Sequence, residues 1–193
     1  MNLIDKVTGP RIANDISPSI IALFQGLQLG WVPPTSISRE EYQEVKANPS
    51  QHHPALVGFC EFGCSFGGKS WGGYAHNSEG RNYAMYSHNV LLKQIKTLRD
   101  VVFTCQDYQT LDIPDRSIIY CDPPYRETTK YKTPFDHERF YQWCKEMKGL
   151  GHVVFVSEYN MPDGFECVLE VPLATILNKN QSSDRVERLY RVG

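Results

Sequence analysis

Apolar and polar positions recur along the chain with two different periods, and the switch between them marks the elements. Arg11-Ile12-Ala13-Asn14-Asp15-Ile16 has the pattern of a short strand ending on an acidic residue. Behind it, Ser17-Pro18 supplies an N-cap and a first-turn proline. Ile20, Ile21, Leu23, Phe24, Leu27 and Gln28 then form a helical stripe that Gly30 stops. Trp31 to Thr35 is a proline turn. Ser38-Arg39-Glu40-Glu41 opens a second helix with capping-box spacing, and Asn48 to Pro54 is a polar loop. From Gly58 to Tyr83 glycines and aromatics dominate without a period, which predicts an irregular surface insert within residues 31–84. Helix returns from Tyr83 to about Leu98. Apolar strands follow at Val101-Val102-Phe103-Thr104-Cys105, Ser117-Ile118-Ile119-Tyr120-Cys121 and His152-Val153-Val154-Phe155-Val156-Ser157, with a helix over Phe135 to Met147 before the last of them. Phe165 to Val171 and Val186 to Val192 read as a closing antiparallel pair. Apolar strands separated by crossovers predict an α/β fold built on a doubly wound sheet, within a single domain over residues 1–193.

Composition narrows this only slightly. The chain has 193 residues, enough for one sizeable core, and its apolar (41%), charged (22%) and aromatic (12%) fractions are those of a globular protein. A net charge of −2 means that any phosphate-binding surface must be a local patch. No apolar run is long enough to span a bilayer, and the first residues lack the pattern of a secretory signal, so no membrane partner is expected. Cys60, Cys64, Cys105, Cys121, Cys144 and Cys167 have no paired spacing. They are expected to be reduced thiols of a cytoplasmic protein, and no metal site is expected.

The strongest chemical signal is Asp122-Pro123-Pro124-Tyr125 directly after an apolar strand. At average composition such a tetrad arises by chance on the order of once in a thousand chains of this length. Ligands of open parallel sheets bind at the carboxyl ends of strands, which is where it stands. Two prolines fix the turn and remove two N–H donors, leaving carbonyl acceptors beside a carboxylate. Such a group can accept both hydrogens of a planar amine and localise its lone pair, and the carboxylate stabilises positive charge developing on the nitrogen. A tyrosine three residues on can stack on the ring that carries the amine, once a base has left its duplex.

At this tetrad the sequence resembles the Dam-like DNA adenine methyltransferases of phage and prophage, and the resemblance runs from about Ile12 to Val192. It implies a methyltransferase sheet of the Rossmann-like kind and transfer of a methyl group from S-adenosylmethionine to the 6-amino group of adenine in double-stranded DNA. It also implies roles. Asp122, Pro123, Pro124 and Tyr125 are the catalytic motif. Asp15 matches the acidic residue that binds the cofactor's ribose, and Asp107 with Tyr108, in Phe103-Thr104-Cys105-Gln106-Asp107-Tyr108, match the residues that contact its adenine. Val154-Phe155-Val156-Ser157-Glu158-Tyr159 is similar to the strand end beside the target-base pocket. For DNA contact, Lys69, Trp71, Arg81, Lys130 and Tyr131 lie on glycine-rich or post-catalytic loops, where a cation can meet phosphate and an aromatic can stack.

The chain departs from the family in one respect. Members begin with a glycine-and-lysine segment and an aromatic-rich strand ending in a glycine loop, which bind the cofactor's methionine part. Nothing of the kind precedes Asp15, and Met1 to Val7 fit the last turns of the helix that follows that loop. The expectation is therefore a sheet incomplete at its N-terminus. A truncated coding sequence, a decaying prophage gene or a separate N-terminal polypeptide would each account for it. A non-catalytic, DNA-binding remnant is the alternative, and a cytosine 4-amino methyltransferase a lesser one. Gly63-Cys64-Ser65-Phe66-Gly67-Gly68-Lys69-Ser70 also fits the phosphate-loop pattern of nucleotide hydrolases. That loop needs a helix starting at its lysine, and Trp71-Gly72-Gly73-Tyr74 is a poor helix sequence.

Overall fold

The computed structural model describes residues 3–77, 80–126, 135–172 and 186–193. The protein is a mixed α/β chain that folds as two compact units, Met1–Leu111 and Asp112–Gly193.

In the first unit, strand β1 (Arg11–Asn14) pairs in parallel with β2 (Val101–Thr104), in the register Arg11↔Val101 to Asn14↔Thr104. Helix α1 (Pro18–Gln28) starts at Ser17 with proline in its first turn, as expected, and Gly30 lies beyond its end at φ +90°. Its apolar stripe packs on the sheet. Phe24 stacks on Phe103 with ring centroids 5.3 Å apart, and Gln28 donates through Nε2 to the carbonyls of Leu98 and Val101. Helix α2 (Arg39–Ala47) carries the expected capping box, Ser38 with Glu41, and α4 (Tyr83–Gln94) runs on into a 3-10 turn at Ile95–Thr97.

Residues 31–84 correct the sequence reading. The stretch is not an irregular surface insert. Ile37, Tyr42, Val45, Val57, Phe59, Cys60 and Cys64 all belong to the buried core of the first unit. The polar loop before it contains a 3-10 turn at Pro49–Gln51, followed by α3 (Pro54–Gly58), a π-helical turn at Phe59–Gly63 and a 3-10 turn at Phe66–Gly68. One of its glycines, Gly58, belongs to a helix contact with Gly26 of α1, while Gly67, Gly68 and Gly73 turn the chain at positive φ. A Cβ on Gly58 would stand 2.1 Å from the Ser19 carbonyl oxygen, and one on Gly26 would stand 2.7 Å from Ala55 Cβ. Their absence lets α1 and α3 pack backbone against backbone. Among the described residues before β1, Ile4–Lys6 form a 3-10 turn.

The second unit holds a four-stranded sheet in the order β3-β4-β6-β5, formed by β3 (Ile118–Cys121), β4 (Val153–Glu158), β5 (Phe165–Pro172) and β6 (Val186–Val192). Strands β3 and β4 are parallel, and β6 runs antiparallel to both β4 and β5. The crossover from β3 to β4 contains α5 (His137–Gly149), which begins two residues later than the pattern suggested because the Asp136 side chain caps it through Arg139 N–H. Phe140, Tyr141, Trp143 and Cys144 form its buried face. Parallel pairing within each unit follows the alternation seen in the sequence. Among the described residues, though, the strands form two hydrogen-bonded sheets where one was expected. No helix among them is long and apolar enough to cross a membrane.

Candidate active site

In the second unit, Asp122 follows β3 directly, one residue past the pair Cys121↔Val156. The tetrad is held from two neighbouring strands. Glu158, at the end of β4 and only 1% exposed, accepts the Arg126 N–H through Oε2 (3.1 Å) and the Tyr159 N–H through Oε1 (2.8 Å). The turn that follows Tyr125 is thereby pinned to β4. The Tyr125 hydroxyl donates to Glu187 Oε1 on β6 at 2.7 Å, and its ring meets Tyr159 edge-on with centroids 4.8 Å apart. Tyr159 is fixed in turn, since its carbonyl accepts from Arg188 (2.6 Å) and from the Tyr190 hydroxyl (3.2 Å). Pro123 is buried and Pro124 half-buried.

The electrostatics follow from this crowding. The Asp122 carboxylate reaches solvent, yet protein closes round its inner side. That desolvation, with the nearby charge of Glu187, raises its pKa above the ordinary carboxylate value. Burial pushes the Tyr125 phenol up, and its hydrogen bond to Glu187 pushes it further. Tyr120, whose hydroxyl pairs with Ser157 at 2.7 Å, is raised by burial. The Cys121 thiol is raised by its hydrogen bond to the buried Cys144 and by desolvation, so it is not poised as a nucleophile. Next to the tetrad's exit lies a cleft of about 380 Å³ lined by Arg126, Tyr141, Glu158, Asn160, Met161 and Pro162. The buried Tyr141 hydroxyl has no hydrogen-bond partner among the described residues.

In the first unit the candidate cofactor residues share one edge. Asp15 and Asp107 both lie past the carboxyl ends of the paired strands β1 and β2, exposed, with Tyr108 half-buried beside Asp107. Each carboxylate is aimed by the backbone two residues on: Asp15 Oδ1 accepts Ser17 N–H (2.8 Å), and Asp107 Oδ1 accepts Gln109 N–H (2.9 Å). Between them stands Asn14, a residue the sequence did not single out. Its amide oxygen accepts from the Thr104 hydroxyl (2.9 Å) and the Gln106 N–H (3.2 Å), while its amide nitrogen donates to the Gln106 carbonyl (2.9 Å). Its only signal in the sequence was its place beside Asp15. Two exposed carboxylates on one sheet edge, with an aromatic next to one, suit a nucleoside: carboxylate oxygens accept from ribose hydroxyls and from an exocyclic amine. The residues present therefore fit the nucleoside part of S-adenosylmethionine.

The candidate DNA-contact residues fare differently. Arg81 is exposed, its guanidinium lying over the rings of Tyr83 (5.3 Å) and Tyr86 (4.8 Å), and it lines a cleft of about 310 Å³ with Tyr74, His76 and Asn77. Lys69 is exposed. The Trp71 ring is committed to packing. It lies half-buried and edge-on to Tyr42, with Lys46 over its face, and its backbone takes φ +47°. Lys130 and Tyr131 lie outside the described residues. The phosphate-loop match has no structural counterpart. Gly67 and Gly68 are left-handed, Lys69 is extended with no helix behind it, and the Ser70 hydroxyl donates to Glu61. The amides that would cradle a phosphate are not assembled.

A strand-end carboxylate followed by two prolines and a fixed tyrosine, next to a ring-sized cleft, offers acceptors and a flat ring to a planar group. The model of one family, the D12 class N6 adenine-specific DNA methyltransferases, matches residues 71–180. That is more than half of the chain, which therefore belongs to this family. No curated protein matches the sequence. Membership makes DNA the substrate class, and S-adenosylmethionine is the methyl donor that enzymes of this family generally use.

Proposed function

We propose that the chain is a DNA adenine methyltransferase that transfers a methyl group from S-adenosylmethionine to the 6-amino group of an adenine turned out of the duplex. The observation that carries this reading is the Asp122-Pro123-Pro124-Tyr125 turn at the carboxyl end of β3, tied down by Glu158 and Glu187. The Asp122 carboxylate and the Pro123 carbonyl accept the two amino hydrogens and draw the nitrogen lone pair out of the ring's conjugation. Pro124 keeps the turn rigid, and Tyr125 stacks on the base. The cleft beside Arg126 and Tyr141 is of a size that takes a purine ring. When bound, the cofactor supplies an electrophilic methyl group. Asp15, Asp107 and Tyr108 hold its nucleoside. As the nitrogen gains a fourth bond it becomes cationic; Asp122 stabilises that charge, and its raised proton affinity suits it to take the proton the amine then sheds. Lys69 and Arg81, on the first unit's exposed loops, contact DNA phosphates. The fold this reading expects is a doubly wound methyltransferase sheet.

The test is calorimetric titration of S-adenosylmethionine into the chain, with Asp15→Ala beside it, followed by methylation of DNA with Asp122→Ala as the control. Saturable binding weakened by Asp15→Ala is expected, as is transfer abolished by Asp122→Ala in a folded protein. Methylation retained by Asp122→Ala would sink the assignment. A folded chain that binds no cofactor would make it a non-catalytic member of the family.

A further inference from the structure

Glu187 has no part in the family motif, stands 62 residues from Tyr125 in sequence, and yet makes the hydrogen bond that ends the tetrad. Its surroundings are specific. From the tetrad loop it faces the Tyr125 hydroxyl at 2.7 Å, and its charge also bears on Asp122. From β3, the charge of Glu187 bears on Tyr120, whose hydroxyl is already paired with Ser157. From β4, Tyr159 packs its ring edge-on against Tyr125, while both oxygens of Glu158 are taken up by backbone N–H groups. Among the described residues, the cation next to it along β6, Arg188, is turned to Glu170 at 2.7 Å and to the Tyr159 carbonyl.

We propose that Glu187 is a positioning residue for methyl transfer: it anchors the Tyr125 ring by its hydroxyl, and through that contact its negative charge bears on the tetrad. The inference rests on the reading of the tetrad given above. Each half has a physical reason. A tyrosine held only at Cα can swing about χ1 and χ2, and stacking on a base requires one plane. The two prolines fix the backbone end of Tyr125, and the carboxylate fixes its tip. Once the hydroxyl is donated to Glu187, it is not offered to the substrate, so the ring acts as a surface and not as a hydrogen-bond donor. The charge acts on Asp122. A like charge close by disfavours ionisation, and Asp122 is raised first by desolvation and second by Glu187. A carboxylate set this way is a better proton acceptor when the methylated amine turns cationic, and it still repays the developing charge.

Three variants separate the two halves. Glu187→Gln keeps an oxygen for the Tyr125 hydroxyl and removes the charge. Glu187→Ala removes both, and Tyr125→Phe removes the hydroxyl alone. The Asp122 carboxyl is followed by carbon NMR titration of aspartate-labelled protein, its resonance assigned by its loss in Asp122→Asn. Glu187→Gln is expected to lower the Asp122 midpoint by on the order of half a pH unit or more. The acid limb of the kcat profile for DNA methylation is expected to move to lower pH with it. In urea denaturation, Glu187→Ala and Tyr125→Phe are expected to be non-additive, the double variant losing little more than either single one. Glu187→Ala is also expected to lose roughly tenfold in kcat while KM for the cofactor stays put. An unmoved Asp122 midpoint in Glu187→Gln, or additive losses in the cycle, would overturn the proposal. If wild type transfers no methyl group while the midpoint shift and the coupling appear, the reading of the function fails and the anchoring by Glu187 stands.

Discussion

Glu158→Gln is the smallest change that tests whether the tetrad turn is held from β4. The wild-type side chain is 1% exposed and spends one oxygen on each of two backbone donors, Arg126 N–H at 3.1 Å and Tyr159 N–H at 2.8 Å. Hydrogen bonds to an ionised acceptor contribute about 1.5–3 kcal/mol each. Glutamine has one carbonyl oxygen, so it can satisfy only one of these donors, and it presents its own N–H₂ to the other. One charge-assisted bond becomes a neutral bond. The other is lost and leaves an unpaired N–H, at a cost of about 1–3 kcal/mol. Against this stands the relief of no longer burying a charge, which offsets part of the loss. The net expectation is destabilisation on the order of 1–3 kcal/mol, read as a lower urea midpoint at an unchanged slope. Because Arg126 adjoins Tyr125, the same loosening lets the tetrad drift, and kcat for methyl transfer is expected to fall about tenfold, with KM for DNA less affected. A Glu158→Gln protein with the wild-type midpoint and the wild-type kcat would refute the claim that this carboxylate holds the turn.

Three further expectations follow from named contacts. Gly58→Ala gains about 1 kcal/mol of helix propensity but puts a methyl 2.1 Å from the Ser19 carbonyl, so α1 and α3 must separate and the urea midpoint should fall; a rise would refute the backbone contact. Gly149→Ala, in α5 with nothing within 4 Å of its Cβ, should instead stabilise by roughly 0.4–1 kcal/mol, and a fall in the midpoint would show a crowding that the geometry lacks. Asp122→Asn should raise the melting temperature at neutral pH while abolishing transfer. Asp122's pKa is raised in the folded state, so the stability linked to its protonation is full below the unfolded value and lost as pH rises through the folded one. The advantage of asparagine should therefore shrink on acidification, and an advantage that grew towards acid would contradict the sign.

Much of the architecture was legible because its signals are local. Pro18, the Ser38–Glu41 box and Gly30 are chemistry of a single helix end, and each did what its type dictates; Ser17 stands at the cap position, but its hydroxyl pairs with Ser19 Oγ and caps no backbone N–H. The strands at Val101 and Ile118 were visible as short apolar runs between polar turns, and the Asp122 tetrad was visible because a rigid turn and its strand are contiguous. The stretch from Gly58 to Tyr83 misled for a reason of the same kind. Gly58 lacks a side chain so that two helices can touch, and in a sequence that looks the same as Gly67, Gly68 or Gly73, which turn a loop at positive φ. Phe59 and Cys60 also sit on a π-helical turn, with Cys64 just past its end, and its wider spacing breaks the helical period that would have marked them as core.

The site's supporting residues were illegible for a different reason. Asn14 reaches Gln106 across 92 residues, Glu158 reaches Arg126 across 32 and Glu187 reaches Tyr125 across 62. On β6, the adjacent Glu187 and Arg188 point to opposite faces of the strand, and nothing in Val186-Glu187-Arg188-Leu189 says which of the two charges faces a tyrosine. The difference lies in the sheet order. Because β6 is inserted between β4 and β5, its first residues run beside the end of β4, where Tyr159 packs on Tyr125. A carboxylate at the start of β6 therefore comes to bear on a motif set at the end of β3, two strands away. The chemistry of the tetrad can be read from four adjacent letters. The orientation of its ring and the charge that bears on its aspartate are properties of strand order, and only the fold brings them together.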